Sequence, residues 1–336
     1  MKITILGAGT WGVALAALLS KNGCDVTVWS PIVCEIERLR ATNTHQNLPG
    51  IQLPQNIIYT NDMEAACRDG EIVLFVVPSQ FIRSTAEKAA AYIQNDAVIV
   101  NAAKGIEKGT FMTMTEVIAD VLRTVRSGLQ YSIAALSGPT HAEEVAAGLP
   151  TSIVAASEDE QISRKIAGLF ANSCMRVYTN TDVKGVEISG ALKNVIALAA
   201  GINRGMGFGD NSGAMLMTRG IAEITRLGLA MGCKRRTFMG LAGVGDLIVT
   251  CTSCHSRNNR CGELIGRGKS YEEAQAEIGM VVEGYHALEA AMGIAEKYAV
   301  ELPITESVYS IIKCGEKPHD AMHRLMNRDI KSELDT

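Results

Sequence analysis

The chain opens on a short apolar run, Lys2–Leu6, that leads straight into Gly7-Ala-Gly9-Thr-Trp-Gly12 and then into a helix-forming run, Gly12–Lys21. A glycine-rich turn between a strand and a helix constrains the fold more than any other feature here. In such a turn the first glycine permits the tight reversal, and the second lets the backbone approach a pyrophosphate. The third allows close helix–strand packing. The helix beginning near Trp11 offers unpaired N–H groups and the positive end of its dipole to the phosphates. A Rossmann-type dinucleotide site at the start of the chain is the expectation.

The rest of the first half fits that start. Apolar runs at Val26–Trp29, Ile72–Val77, Ala97–Asn101, Ile133–Leu136, Thr151–Ala155 and Met175–Tyr178 alternate with helix-length segments such as Ser79–Tyr92, Met112–Val125 and Glu158–Phe170. Near-continuous apolar strands point to a parallel sheet covered on both faces, and strand–helix alternation to a doubly wound α/β fold. Beyond Asp182 strand signals fade. Helical candidates follow at Val183–Ala200, Asn211–Met231, Arg257–Arg267, Glu283–Ala299 and Ile304–Lys313. At 336 residues the chain exceeds what one core normally serves. The expected division is a dinucleotide-binding domain over 1–182 and an all-helical substrate domain over 183–336.

Charge and cysteine usage narrow the class. A net charge of −4 with no long block of either sign leaves no electrostatic footprint for nucleic acid or an anionic membrane. A negatively charged substrate would need a local basic pocket. Nine cysteines, an odd number in a long chain, read as reduced thiols of a cytoplasmic protein. Ile3–Ser20 carries no charge and imitates a signal peptide or a span, but Gly7, Gly9, Thr10 and Gly12 interrupt it and Asp25-Val-Thr-Val follows. A soluble chain without a membrane span is expected.

Three other motifs resolve less favourably. Gly205-Met-Gly207-Phe-Gly209-Asp210 follows a helix and reads as a helix–helix loop. Gly268-Lys-Ser270 imitates a P-loop, yet Glu263 stands where its first glycine belongs. Cys251-Thr-Ser-Cys254-His255 satisfies a haem-attachment pattern, and with Cys261 it suggests zinc, but a second well-spaced ligand pair is missing. Incidental cysteines and no metal are the expectation. The acidic residue that should follow a dinucleotide loop by roughly 20 positions, to hold a ribose hydroxyl, is also missing. Trp29-Ser30-Pro31 ends the second strand, and the choice between NAD and NADP stays open.

Two lysines stand where lysines are costly. Lys193 is the only charged residue between Ile188 and Asn203, in a helix apolar on nearly every side. It either snorkels to an edge or serves as an acid–base group, a role that burial tunes in lysine. Lys104 follows Ala97–Ala103 at a strand's carboxyl end, where open α/β sheets bind ligands, although an ordinary lysine there is as good a reading. Ser137-Gly-Pro-Thr140 follows a strand, with Thr140 placed to cap the next helix and Glu143 at its third position. Ser256-Arg257-Asn258 joins an N-cap to a fixed cation, either a phosphate receptor or a capped surface helix. Asp246, in Gly243-Val-Gly-Asp246, reads as a ligand or merely a turn residue.

Together these blocks resemble glycerol-3-phosphate dehydrogenase of the bacterial, soluble, NAD(P)-dependent type. The similarity covers GAGTWG at 7–12, VPSQ at 77–80, AAKGIE at 102–107, SGPTHAEEVA at 137–146, GALKN at 190–194, GMGFGDN at 205–211, GVGDLIVTCTSCHSRN at 243–258 and VVEG at 281–284. The resemblance implies interconversion of dihydroxyacetone phosphate and sn-glycerol 3-phosphate for phospholipid synthesis, with NAD or NADP as cofactor. It implies Lys193 as proton donor or acceptor and Lys104 near both ligands. Gly138, Thr140, Asp246, Ser256, Arg257 and Asn258 would join the two lysines around the substrate. Thr10, Trp11, Ala142, Val281 and Glu283, with Lys104 and Arg257, would join Gly7, Gly9 and Gly12 at the cofactor. A homodimer is compatible with it. The chain departs from the family at Ser30-Pro31, where relatives often carry a basic residue for NADPH. Two alternatives from other classes are a dehydrogenase of the same architecture acting on a 3-hydroxy acid and a non-catalytic nicotinamide-binding regulator.

Overall fold

A computed structural model describes residues 1–330, 332 and 333. The first half builds an eight-stranded sheet from β1 (Lys2–Leu6), β2 (Asp25–Trp29), β3 (Ile58–Thr60), β4 (Ile72–Phe75), β5 (Ala97–Asn101), β6 (Tyr131–Ser137), β7 (Thr151–Ala156) and β8 (Met175–Asn180). The strand order is β3-β2-β1-β4-β5-β6-β7-β8. The order of strands reverses its direction of growth between β1 and β4, the switch point where open α/β sheets bind ligands. Every pairing is parallel except β6 with β7, which is antiparallel. Apolar content foretold a parallel sheet and could not reveal that exception, because the two pairings bury the same side chains.

Successive strand residues face opposite sides, so each strand supplies two cores. Ile3, Ile5, Val26, Val28, Leu74 and Val100 pack with the helix Thr10–Lys21 on one face. Leu6, Val73, Phe75 and Ile99 pack with the helices Ile82–Ala89 and Met114–Val125 on the other. The uncharged stretch that imitates a signal peptide is thus strand β1 and its following helix, both buried in this sheet unit.

After Asp182 the chain is helical, and its centre is Val183–Gly205, buried from Gly185 to Asn203. That helix is long and apolar enough to cross a membrane, yet its apolar stretch is wholly buried in the helical core with Leu227, Phe238, Leu247 and Ile294. It lies almost backbone to backbone on the helix Arg257–Gly266. A Cβ on Gly201 would sit 2.0 Å from the Asn259 carbonyl oxygen, and one on Gly262 would sit 2.2 Å from that of Leu198. Small residues are the only ones that allow helix backbones to approach so closely, which is why the Ser256-Arg257-Asn258 segment reaches the Lys193 helix.

The chain divides into two compact units that are not contiguous in sequence. Met1–Ala103 and Met112–Val183 form the sheet unit; Lys104–Phe111 joins the helical unit that runs on from Lys184. A single boundary at 182 places Lys104 with the sheet, whereas the structure counts it with the helices. Ile106 enters the helical core, and the Phe111 ring fills the space left by Gly293.

Candidate active site

The predicted site residues fall into two groups, one in each unit. In the sheet unit the three loop glycines differ as their roles require. Gly7 has φ +130°, and a Cβ there would lie 2.9 Å from the backbone of Val76 and Val77 after β4. Gly12 opens the helical packing, where a Cβ would lie 2.0 Å from the Gly7 carbonyl oxygen. Gly9 is exposed, and a Cβ there would meet nothing within 4 Å. Neither backbone conformation nor internal packing asks for glycine at 9, so the open space above it fits a ligand's approach. Gly9 also caps Thr10–Lys21 without a side-chain hydrogen bond, leaving that helix start to an anion. Thr10 accepts from Asn47 Nδ2 at 3.2 Å, and Trp11 packs half-buried on the sheet core.

Gly138 and Thr140 follow β6 in the same unit. Gly138 has φ +152° and lies against β7, where a Cβ would be 3.2 Å from Ile153 Cα. Thr140 is not the helix cap: the helix is Ala142–Ala146 with His141 at its N-cap, and Thr140 Oγ1 donates to the Gly138 carbonyl at 3.2 Å. The hydroxyl is captured by the turn behind it, which a capping pattern in sequence does not exclude. Ala142 packs against the same core as Trp11.

In the helical unit Lys193, Asp246 and Lys104 converge. Asp246 is the first residue of the helix Asp246–Thr252, which a single π-helical turn, Leu241–Gly245, delivers. Its Oδ1 accepts from Lys193 Nζ, and its Oδ2 accepts from Lys104 Nζ at 2.8 Å. Lys193 Nζ also donates to Thr250 Oγ1 at 2.7 Å, one helical turn beyond Asp246. Residue exposures of 5% for Lys193 and 1% for Asp246 exclude a snorkelling lysine and a surface turn. Burial pushes the Lys193 ammonium down from 10.5 to about 7; the Asp246 charge opposes that shift and the Lys104 charge adds to it. The ammonium thus donates to Asp246 and to Thr250, with the Lys104 ammonium close beside it.

Ser256 caps the helix Arg257–Gly266 through Asn259 N–H at 3.3 Å. Asn258 accepts from Gly284 N–H at 2.9 Å and donates to Asn194 Oδ1 at 3.0 Å, so it ties the start of the helix Glu283–Tyr298 to the residue beside Lys193. Exposed Arg257 donates to the Val281 carbonyl at 3.3 Å. Lys104, Lys193, Asp246, Ser256, Arg257, Asn258, Val281 and Glu283 therefore all belong to the helical unit.

Sequence reading overlooked Thr250 and Asn194. Thr250 stands four residues after Asp246, a spacing that shares one helix face once the helix is known. Asn194 carried no signal beyond its neighbour. The cysteine motif divides on burial: Cys251 and Cys261 are core residues whose thiols burial pushes up to about 12 and about 11, and Cys254 is exposed. Among the described residues no group of three or more His, Cys, Asp or Glu is placed to hold a metal ion.

Comparison with known proteins joins these observations. A family model described as NAD-dependent glycerol-3-phosphate dehydrogenase N-terminus matches residues 2–163, and its C-terminus counterpart matches 182–323. The chain is 54% identical over 333 residues to glycerol-3-phosphate dehydrogenase [NAD(P)+] 2 of Lactobacillus delbrueckii subsp. bulgaricus, covering 99% of each chain. It is 46% identical over 337 residues to a glycerol-3-phosphate dehydrogenase [NAD(P)+] of Carboxydothermus hydrogenoformans, covering 99% of this chain and 98% of that one. The crystal structure of glycerol-3-phosphate dehydrogenase from Coxiella burnetii superposes with a TM-score of 0.91 at 36% identity, over 97% of this chain and 99% of that one.

Proposed function

This chain belongs to the NAD-dependent glycerol-3-phosphate dehydrogenase family, and from that premise we propose how its residues interconvert dihydroxyacetone phosphate and sn-glycerol 3-phosphate with NAD(P)H. The buried Lys193–Asp246–Lys104 cluster carries the reading. Gly9 and the start of Thr10–Lys21 would hold the dinucleotide, which would supply or accept the hydride. As a carbonyl carbon takes up hydride its oxygen gains negative charge, and a cation able to deliver a proton must lie beside it. Lys193 does both, because burial leaves its proton loosely held at neutral pH. Asp246 and Thr250 fix the ammonium in place, and Lys104 adds a second positive charge on the far carboxylate oxygen. In the oxidative direction the neutral amine takes the hydroxyl proton.

Arg257, with the N-terminus of the helix that Ser256 caps, suits the substrate phosphate, and Asn258 keeps that segment in register with Asn194. The family resemblance assigns Gly138 and Thr140 to the substrate, and Thr10, Trp11, Ala142, Val281 and Glu283 to the cofactor. Binding energy from the remote phosphate orients the carbonyl without taking part in the chemistry. The product serves glycerophospholipid synthesis. A cytoplasmic location belongs to the same reading and accords with nine free cysteines; a homodimer is its other part, decided by sedimentation of the purified protein. The test of the activity is oxidation of NADH and NADPH with dihydroxyacetone phosphate and with unphosphorylated dihydroxyacetone. Turnover with the phosphate ester alone is expected. Equal turnover on both removes the phosphate anchor, and binding without turnover leaves a nicotinamide-binding regulator.

A further inference from the structure

The end of β2 is less bare than its sequence suggests. Trp29, its last residue, pairs with Leu6 of β1, and its carbonyl accepts from Gly7 N–H at 2.8 Å, so the next residue lies beside the dinucleotide loop. That residue is Ser30, 2% exposed. Its N–H donates to the Thr60 carbonyl at 3.2 Å, and its own carbonyl accepts from Asn61 Nδ2 at 2.8 Å. Its hydroxyl accepts from Ile32 N–H at 3.2 Å and donates to Glu35 Oε2 at 2.7 Å. The serine folds the first turn of the helix Val33–Thr42 back over the strand end and sets the Glu35 carboxylate there. Among the described residues Glu35 Oε1 has no partner, and no cation is paired with this carboxylate. The nearby guanidinium of Arg38 is held by Gln46 Oε1 at 2.6 Å, and that of Arg40 by the Tyr59 carbonyl at 2.8 Å.

We propose that Glu35 reads the adenosine ribose of the cofactor and makes this chain prefer NADH to NADPH. The inference rests on the dinucleotide reading above and names the form of the cofactor. A carboxylate at this place accepts a hydrogen bond from a ribose 2′-hydroxyl. A 2′-phosphate brings negative charge and acceptor oxygens to the same point, so it meets repulsion from the carboxylate; His45, the imidazole that faces Glu35, is held towards its neutral form by burial. Ser30 acts on the cofactor through Glu35: its buried hydroxyl holds one carboxylate oxygen and leaves the other for the ribose.

Titration calorimetry of NADH and NADPH, without substrate, into the wild-type chain, Glu35→Gln and Glu35→Ala tests the proposal. Glu35→Gln keeps the shape and can still accept from Ser30, so it isolates the charge; melting temperatures verify that each variant is folded. Wild type should bind NADH more tightly than NADPH by about tenfold or more, and both variants should shrink that ratio by roughly tenfold. Equal wild-type affinities, or a ratio that neither variant moves, overturns the assignment while leaving the dinucleotide site intact. Binding of neither dinucleotide overturns the assignment together with the reading beneath it.

Discussion

The sheet unit and the helical unit put charge in different places. Among the described residues the buried acidic and basic side chains of the sheet unit are Asp182 and His45, each 8% exposed, and the ligand apparatus is backbone: three glycines and an open helix start. The helical unit buries Glu187 and Lys193 at 5%, Glu223 at 4% and Asp246 at 1%. Its chemistry lies in side-chain charge withheld from water. Not all of that charge serves the reaction. Glu223 accepts from Ile304 N–H, Thr305 N–H and Thr305 Oγ1 at 2.6, 3.2 and 3.2 Å, capping the helix Pro303–Cys314, and burial pushes its carboxyl up to about 7. Its partners are backbone and hydroxyl donors of one helix start, whereas Lys193 meets a carboxylate and a second ammonium. Burial alone does not distinguish a cap from a catalyst; the charged partners do.

That contrast breaks most readily at Lys193. Lys193→Met should fold and bind dinucleotide while kcat falls by roughly 10²–10⁴. Lys193→Arg should rescue poorly, since guanidinium holds its proton too tightly and its planar fork does not fit an ammonium's place. Near-native turnover in folded Lys193→Met would erase the distinction between the two units.

Next come the backbone contacts of the sheet unit. Gly12→Ala drives a Cβ into the Gly7 carbonyl and should cost about 1–3 kcal/mol of stability, read as a lowered melting temperature. Gly9→Ala meets nothing in the protein, so it should leave melting unchanged and weaken dinucleotide binding by roughly tenfold. Equal melting losses in both variants would show that Gly9 is structural after all.

A smaller effect is the pH response of the helical unit. With Lys193 lowered to about 7, the proton donor is lost as pH rises past 7. Thus kcat/KM for ketone reduction should fall by up to about tenfold per pH unit above that point, and kcat/KM for oxidation should rise towards it. Stability has its own sign. Between 7 and 10.5 the unfolded chain holds the Lys193 proton and the folded one does not, so this group's destabilisation is complete below 7 and relieved as pH rises. Any gain in melting temperature of Lys193→Met over wild type should therefore shrink towards pH 10. A flat kcat/KM profile between pH 6 and 9 would count against Lys193 as the titrating donor.

The smallest change is expected at the thiols. Cys251→Ser with Cys254→Ser should keep activity within about twofold and cost around 1 kcal/mol of stability from the buried position. Stoichiometric metal or covalent haem in the wild type, lost in this variant, would return the motif to the chemistry of the molecule.

Much of this was legible beforehand, and the gaps are informative. Seven of the strands stood out as apolar runs; β3 did not, because it has three residues and Ile58 is 62% exposed. The helix Val33–Thr42 escaped for a similar reason, with only Ile36 and Leu39 buried. Lys193 was conspicuous as a lone charge in an apolar helix. Lys104 was noticed at a strand end but assigned to the sheet, since nothing local reveals that eight residues leave to pack elsewhere. Glu35 was missed because spacing was counted from the glycine loop, while the Ser30 hydroxyl brings that carboxylate back over the strand end from a later position.

By itself the sequence determined the doubly wound sheet, the glycine loop and the helical second half. Turn chemistry, capping and apolar periodicity act within a few residues, so the order of residues is enough to read them. The tertiary structure decided that Asp246 holds two lysines, Lys193 at a separation of 53 residues and Lys104 at 142. It also decided the antiparallel placing of β7 and the carboxylate at the end of β2. Such pairings depend on how close helices may approach and which charges are forced together when water is excluded. Both are properties of the packed core, which no single stretch of chain contains.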